Sequence, residues 1–256
     1  MFGKKVSMSD DHYVSVTFLT QFCDESQIKR DREKRKIYVF DKNAGTFLNG
    51  NKKLIKQAYK HDLDGVGAFK TQLEYYESEW ASIYQKVISN QCSDQDYEDM
   101  LTYIILISLN NPKKQQERIV KFLQGAANEQ EKHINSKFPS KQQLHIETRD
   151  VLLEVFDYVE HLKNILLSYK YWLVKNISTV PFVTSDNPII VLNKCWFVPL
   201  SKNYALQIDT TNRVLSNNYQ GVHEDNDVEE VRGINRKMIN NAEGFVYSSS
   251  LKDVFD

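Results

Sequence analysis

The chain has 256 residues, of which 41% are hydrophobic and 26% charged, and its formal net charge is −1. These values are ordinary for a soluble globular protein with a sizeable core. Only nine glycines and five prolines are present, which favours substantial helix over a sandwich of many tight turns. No apolar run reaches the roughly 18–20 residues of a membrane span, so we expect no membrane partner.

The first seven residues lack the apolar centre of a secretory signal. The three cysteines are widely spaced, which excludes a disulfide framework and a Cys-x-x-Cys metal site. A reducing cytoplasm is therefore the expected location.

Positive charge is concentrated near the N-terminus. Residues 27–60 contain eleven Lys or Arg against three acids, and Lys29, Arg30 and Arg35 belong to the densest part, 29–36. Such a segment either contacts phosphates of a nucleic acid or forms a solvated loop ahead of a strand.

The N-terminal half shows two strand-like segments and then helices. Residues 13–19 are β-branched and aromatic, although they also fit a short helix, and residues 37–41 alternate ahead of a hairpin-like turn. An apolar stripe with steps of three and four runs from Phe69 to Val87 and predicts a helix. Ser93 and Asp96 resemble a capping box that starts a second helix.

The rest of the chain continues this alternation. Asn111-Pro112 fits the start of a third helix, and an apolar stripe predicts a fourth over 148–175, with Tyr169 and Trp172 inward. Further segments follow, namely strands at 182–183, 189–192, 196–198 and 204–208, a helix over 227–242 and a strand at 245–247.

This order predicts an α+β fold. A central helical cluster, about 66–175, packs beside a mixed or antiparallel sheet formed by N- and C-terminal strands, with a C-terminal strand region at about 180–250. No linker or composition change divides the chain, so we expect a single domain over residues 1–256.

The polar segment Thr184-Ser185-Asp186-Asn187, followed by Pro188, lies between two apolar runs. Its donors and acceptors need partners once solvent is excluded. The segment therefore either pins a turn through local side-chain bonds or holds a ligand.

Two further side chains have the chemistry of catalytic groups. His12 titrates near neutrality and is a candidate general acid or base, or alternatively a structural histidine bonded to backbone. Glu77 follows the inward Tyr76 on the first long helix, where its carboxylate either binds a metal or lies on a solvated flank.

Several segments together resemble one known family. They cover nearly the whole chain in the right order: His12-Tyr13-Val14, Ile37-Tyr38-Val39-Phe40-Asp41 after a basic loop, Leu73-Glu74-Tyr75-Tyr76-Glu77, Trp172-x-x-x-Asn176, Phe182 to Pro188, Pro199-Leu200-Ser201, and Asn235 ahead of Ala242. The chain resembles the microbial family called domain of unknown function 4238. Two departures are Ser15 in place of a proline and Asn110-Asn111-Pro112 in place of an arginine-bearing Arg-x-Pro.

The resemblance implies a compact α+β domain without an established reaction. Some relatives are encoded as single-gene anti-phage systems, which implies a toxic or sensing role. The resemblance also implies a shared pocket, formed by His12, Glu77, Ser185, Asp186, Asn187 and Asn235.

These observations lead to two functional hypotheses, and a plain structural domain is the third alternative. In the first, the protein is an anti-phage effector that hydrolyses nucleic acid or a nucleotide, with His12 as general acid/base and Asp186 and Glu77 orienting it or binding a divalent metal. Thr184, Ser185, Asn187 and Asn235 would position the substrate, and Lys29, Arg30 and Arg35 would guide it. In the second, a non-catalytic sensor recognises a phage protein or a small ligand in the same pocket.

Overall fold

A computed structural model describes residues 14–48, 52–53, 67–109, 148–214 and 219–251. The chain begins there with helix α1 (Val16–Thr20), whose N-terminus is capped by the Ser15 hydroxyl through the amide of Phe18. The strand expected over 13–19 is therefore wrong for its described part, and the alternative short helix is correct. The local reason is Ser15, because a hydroxyl at the N-cap satisfies an amide that a helix start leaves without a partner.

Short elements follow α1, and most of them belong to the basic region. They are α2 (Glu25–Ile28), a 3-10 turn (Arg32–Lys34), β1 (Lys36–Asp41), β2 (Thr46–Phe47) and β3 (Lys52–Lys53). The expected strand at 37–41 and its hairpin are confirmed. Gly45 supplies a left-handed φ of 64° in that turn.

Three long helices come next, α3 (Gly67–Ile88), α4 (Asp94–Leu109) and α5 (Thr148–Leu167). The stripe predicted for α3 is confirmed, since Leu73, Trp80 and Val87 are buried. The capping box is confirmed as well, because the Ser93 hydroxyl accepts from the Asp96 amide while the Asp96 carboxylate accepts from the Ser93 amide. The helix expected from Asn111 lies outside the described residues.

The C-terminal part contains most of the strands. They are β4 (Tyr169–Asn176), β5 (Thr184–Ser185), β6 (Ile190–Leu192), β7 (Cys195–Pro199), β8 (Tyr204–Arg213) and β9 (Tyr219–Asp225), followed by helix α6 (Val228–Asn241) and strand β10 (Phe245–Ser248). The strand expected at 182–183 begins two residues later, and β9 was not predicted. The other strands and the last helix agree with the prediction within a few residues.

The fourth predicted helix ends earlier than expected. Helix α5 stops at Leu167, and Tyr169–Asn176 is strand β4. Tyr171 and Leu173 are buried on one face while Trp172 is only half-buried on the other. This alternation has a period of two residues, which is typical of a strand. The prediction of an inward helical Trp172 is therefore wrong, because steps of three residues were compatible with both structures.

The strands form two sheets. In the first, the order is β2-β1-β10-β5, and β3 also pairs with β1. Strand β10 pairs antiparallel with both β1 and β5, so the expected sheet shared by the two ends of the chain is confirmed. The later strands do not join it as expected, because β6-β7-β8-β4-β9 is a separate sheet in which β4 and β9 are parallel. The α+β class is confirmed.

Two clusters of buried apolar side chains lie on opposite faces of these sheets. The main core joins helices α1, α3, α4 and α5 to one face, through side chains that include Trp80, Tyr103, Tyr171, Leu206 and Tyr247. The second core joins α6 to the other face, through Phe40, Phe182, Phe197, Met238 and Val246. Alternate residues of one strand therefore belong to different cores, as Val246 and Tyr247 do. None of the described helices is both long and apolar enough to cross a bilayer.

Candidate functional site

The carboxylate of Asp186 is held by the backbone of the turn that leads into β10. One oxygen accepts from the amide of Glu243 at 2.9 Å, and the other accepts from Gly244 at 2.8 Å and Phe245 at 3.1 Å. Burial raises the pKa of Asp186 above its ordinary value, and the three amide donors act against that rise. These bonds fix Asp186 as an anchor between β5 and β10 and leave little acceptor capacity for a ligand.

The neighbouring polar side chains bond to one another and to α6. The Ser185 hydroxyl donates to the Asn187 carbonyl at 2.9 Å, and Asn241 donates its side-chain amide to the same carbonyl at 2.9 Å. Asn235 accepts from the amide of Val183 and donates to the carbonyl of Pro181. The segment 184–187 therefore joins β5 to α6, which supports the structural interpretation of Ser185, Asn187 and Asn235.

Two hydroxyls beside this segment have no partner among the described residues. Thr184 and Tyr247 face each other across the β5–β10 pair, and both residues are completely buried. Burial, and next the nearby charge of Asp186, raises the pKa of Tyr247 well above its ordinary value, so the phenol stays protonated. A buried hydroxyl without a partner costs free energy, which makes this pair the chemically unusual part of the segment.

Glu77 lies in a different set of contacts. Its carboxylate accepts from the Thr17 hydroxyl at 3.3 Å and is 3.6 Å from the guanidinium of Arg32. In the part of the chain that the structure describes, no hydrogen bond links Glu77 to Asp186, and no group of three or more His, Cys, Asp or Glu could hold a metal. His12 lies outside the described residues, so its predicted approach to Asp186 stays a prediction.

The three basic residues singled out at the N-terminus have different roles. Lys29 and Arg30 are exposed, whereas Arg35 is half-buried. Arg35 donates to the carbonyl of Arg30 at 3.1 Å and to the hydroxyl of Thr20 at 3.3 Å. Arg35 therefore stabilises the loop between α2 and β1, and Lys29 and Arg30 remain available for a partner.

A separate groove lies on the face of the second sheet that α6 covers only in part. Its volume is about 770 Å³. The floor comes from β4, β7, β8 and β9, through Trp172, Phe197, Gln207 and Val222, and α6 supplies one wall through Glu230, Gly233, Ile234 and Lys237. The volume falls within the range of about 300–1,000 Å³ that is usual for small-molecule sites.

The groove contains polar side chains that the protein does not use. Asn193, Gln207, His223, Glu230 and Lys237 line it, and none of their side chains has a hydrogen-bond or ion-pair partner within the described ranges. Four of them are exposed and Gln207 is half-buried. The groove therefore combines an aromatic floor with free polar groups.

A family model matches residues 11–252, and its description is "Protein of unknown function (DUF4238)". The chain belongs to the DUF4238 family. Among curated proteins and solved structures nothing matches. The match covers both the segment 184–187 and the groove, so it does not by itself choose between them.

In this DUF4238 protein, α6 connects the two places. Met238 and Asn241 bond to the segment 184–187, and Asn235 bonds to Val183 directly ahead of it. Gly233, Ile234 and Lys237 of the same helix line the groove. Reasoning from the sequence missed the groove because Trp172 was assigned to a helix and β9 was not predicted. The alternation with a period of two over residues 169–176 is the signal that would have identified β4 and the floor of the groove.

Proposed function

We propose that this protein is a ligand-binding sensor of anti-phage defence, and that the groove beside α6 is its binding site. The observation that carries the proposal is the set of free polar side chains around an aromatic floor in one accessible cavity. The resemblance of the chain to relatives encoded as anti-phage systems supports the biological setting. The Asp186 carboxylate, the Ser185 hydroxyl and the Asn187 carbonyl are occupied by bonds within the fold, which favours the groove over the segment 184–187 as the functional site.

Helix α6 gives the groove a physical connection to the rest of the protein. A ligand that contacts Gly233 and Lys237 changes the forces on the helix that holds the segment 184–187 through Met238 and Asn241. Any shift of α6 that a ligand causes is limited by the difference in its affinity for the shifted and the unshifted helix. Binding in the groove thereby reaches β5 and β10 without any covalent step.

Gly233→Leu tests this proposal directly. A Cβ at Gly233 meets no atom within 4 Å, so the new side chain projects into open groove. Leucine also forms helix better than glycine, so the melting temperature should stay equal or rise. We expect loss of phage protection in a plaque assay, with Arg236→Leu on an exposed position of the same helix as the matched control. A stable Gly233→Leu protein that protects as well as wild type would overturn the proposal.

A second candidate is the hydrolase, and the buried hydroxyls of Thr184 and Tyr247 favour it. His12 would take a proton from water as the water oxygen bonds to phosphorus, and Asp186 would orient the imidazole. The P–O ester bond would break, with the leaving oxygen protonated by solvent.

Purified protein incubated with RNA, DNA and nucleotides, with and without divalent metal, separates the two candidates. Turnover that His12→Ala abolishes and His161→Ala retains would establish the hydrolase. In the nucleic-acid arm, Lys29→Gln with Arg30→Gln should lower the salt slope of binding by roughly two, close to one per phosphate contact. If the substrates stay intact in every arm, the hydrolase is overturned and the sensor remains the proposed function.

A further inference from the structure

The floor of the groove presents an aromatic ring beside an amide. Trp172 on β4 lies directly opposite Gln207 on β8, and Gln207 lies opposite Phe197 on β7. Residues paired in this way have Cβ atoms about 4.5–5.5 Å apart and share one face of the sheet. A planar ligand stacked on the indole of Trp172 is therefore within reach of the Gln207 amide.

The amide groups favour a ligand with hydrogen-bonding edges. Gln207 and Asn193 line the groove, and neither side chain is bonded to another described residue. A carboxamide carries a donor and an acceptor in one plane, which is the arrangement that pairs with the edge of a nucleobase. An aromatic floor without such amides would accept any apolar ring, whereas this combination selects a heterocycle.

The charges along α6 limit how many phosphates the ligand carries. Glu230 and Lys237 line the same wall and are seven residues apart, so the helix rise separates them by about 10 Å. Asp225 adds a second carboxylate near the start of α6. One lysine against two carboxylates suits a neutral ligand, or a ligand whose single phosphate lies beside Lys237 and away from Glu230. Acidic side chains are common acceptors for ribose hydroxyls.

At Gly233 no side chain covers the helix backbone on this wall of the groove. It lies in the middle of α6, where glycine is disfavoured relative to alanine, and an added Cβ would meet no neighbouring atom. Packing within the described protein therefore does not require glycine here. A glycine at this position leaves space for a flat ring to approach the helix backbone.

We propose that the groove binds a purine nucleoside or a purine nucleoside monophosphate, with the base stacked on Trp172 and read by Gln207. This inference rests on the proposed function, since it names the ligand class of the same site. It is independent of the hydrolase, because no bond is made or broken in the groove.

Titration of the full chain with adenosine, guanosine, AMP and ATP, followed by tryptophan fluorescence and calorimetry, tests the ligand class. We expect a purine to quench the fluorescence, and AMP to bind more tightly than ATP. Gln207→Leu should weaken binding by about tenfold or more, the loss expected for one bidentate base contact. Lys237→Ala should weaken the binding of AMP and leave the binding of adenosine and guanosine unchanged.

Trp172→Phe and Trp196→Phe form the matched pair for the fluorescence signal. Trp196 neighbours two groove residues on β7 but packs against the main core on the opposite face. Quenching should therefore disappear in Trp172→Phe and persist in Trp196→Phe. Quenching lost only in Trp196→Phe would overturn the assignment of the stacking ring.

The remaining outcomes separate the ligand class from the proposed function. If no purine binds but Gly233→Leu loses phage protection, the purine is overturned as the ligand class and the sensor function is supported. Tighter binding of a short adenylate oligonucleotide than of AMP would overturn the free nucleotide as the ligand. Purine binding together with full protection by Gly233→Leu would confirm the ligand class and refute the sensor.

Discussion

Asp186 accepts three backbone hydrogen bonds from a turn that lies more than fifty residues later in the chain. A carboxylate in this position determines the path of that turn, since it accepts from the amides of Glu243, Gly244 and Phe245 at once. The sequence analysis interpreted Asp186 either as a residue that pins a local turn or as a catalytic group. Neither interpretation included the distant turn, because the partner amides carry no side-chain signature.

The first prediction concerns this anchor. Asp186→Ala should lower the free energy of unfolding by about 3–5 kcal/mol, because three charge-assisted bonds disappear and buried amides lose their acceptor. Asp209→Ala is the control, since the described hydrogen bonds of the half-buried Asp209 side chain on β8 are both to the nearby Thr211, and its loss should be below about 1 kcal/mol. Urea denaturation measures both. A loss of only about 1 kcal/mol in Asp186→Ala would return this residue to the catalytic candidates.

The second prediction concerns the buried hydroxyl of Tyr247. Tyr247→Phe removes a group that has no partner in the described structure, so the free energy of unfolding should stay equal or rise by about 1 kcal/mol. Tyr103→Phe is the matched control in the same core, because the Tyr103 hydroxyl donates to Ser15 at 2.7 Å. That variant should lose about 1 kcal/mol in the same denaturation experiment. Equal destabilisation of the two variants would show that the Tyr247 hydroxyl has a partner in solution.

At the scale of elements, local chemistry predicted more than periodicity did. The capping box at the start of α4 was predicted correctly, because Ser93 and Asp96 lie close in sequence and need only each other. The boundary between α5 and β4 was predicted incorrectly, because Tyr169 and Trp172 fit the helical step and the strand alternation equally well. Residues 169–176 form a strand because they pair with β8 and β9, and those two strands come later in the chain.

The third prediction uses the pH dependence of this cap. A hydrogen bond from Lys86, and next those from Ser93, lowers the pKa of Asp96 from 3.8 to about 2. A carboxyl whose folded pKa is lowered stabilises the protein above its ordinary pKa and loses that contribution as the pH falls toward the folded value. The difference in urea midpoint between wild type and Asp96→Asn should therefore have its largest value above pH 3.8 and decrease as the pH falls toward 2.

Asp94→Asn, in the same first turn of α4, is the control for this titration. Asp94 is exposed and lacks the bond to Lys86 that Asp96 makes at 2.6 Å. Asp186 acts in the opposite direction, since its raised pKa makes its contribution to stability fall as the pH rises above 3.8. Comparing variants at each pH cancels that effect. A midpoint difference that does not change with pH would contradict the role of the Lys86–Asp96 pair.

For the whole molecule, the order of helices and strands was enough to predict the α+β class and the pairing of the two chain ends. The division into two sheets was not predictable in the same way. The sequence shows that Phe197 and Val198 point to opposite faces, but both faces are apolar, so alternation does not say which helix covers each one. Helix α6 leaves part of its face open, and the groove is the result.

The last prediction follows from the way the sheets separate the two cores. On β10, Val246 belongs to the second core and Tyr247 to the main core, so neither core can lose its packing without disturbing the strand they share. We therefore propose that residues 1–256 form a single domain that unfolds in one cooperative transition, with equal calorimetric and van't Hoff enthalpies. Ile37→Ala in the main core and Phe182→Ala in the second core should each cost about 2–5 kcal/mol. Both variants should lower the melting temperature of that same transition, and a second transition shifted by only one of them would show that the cores are independent.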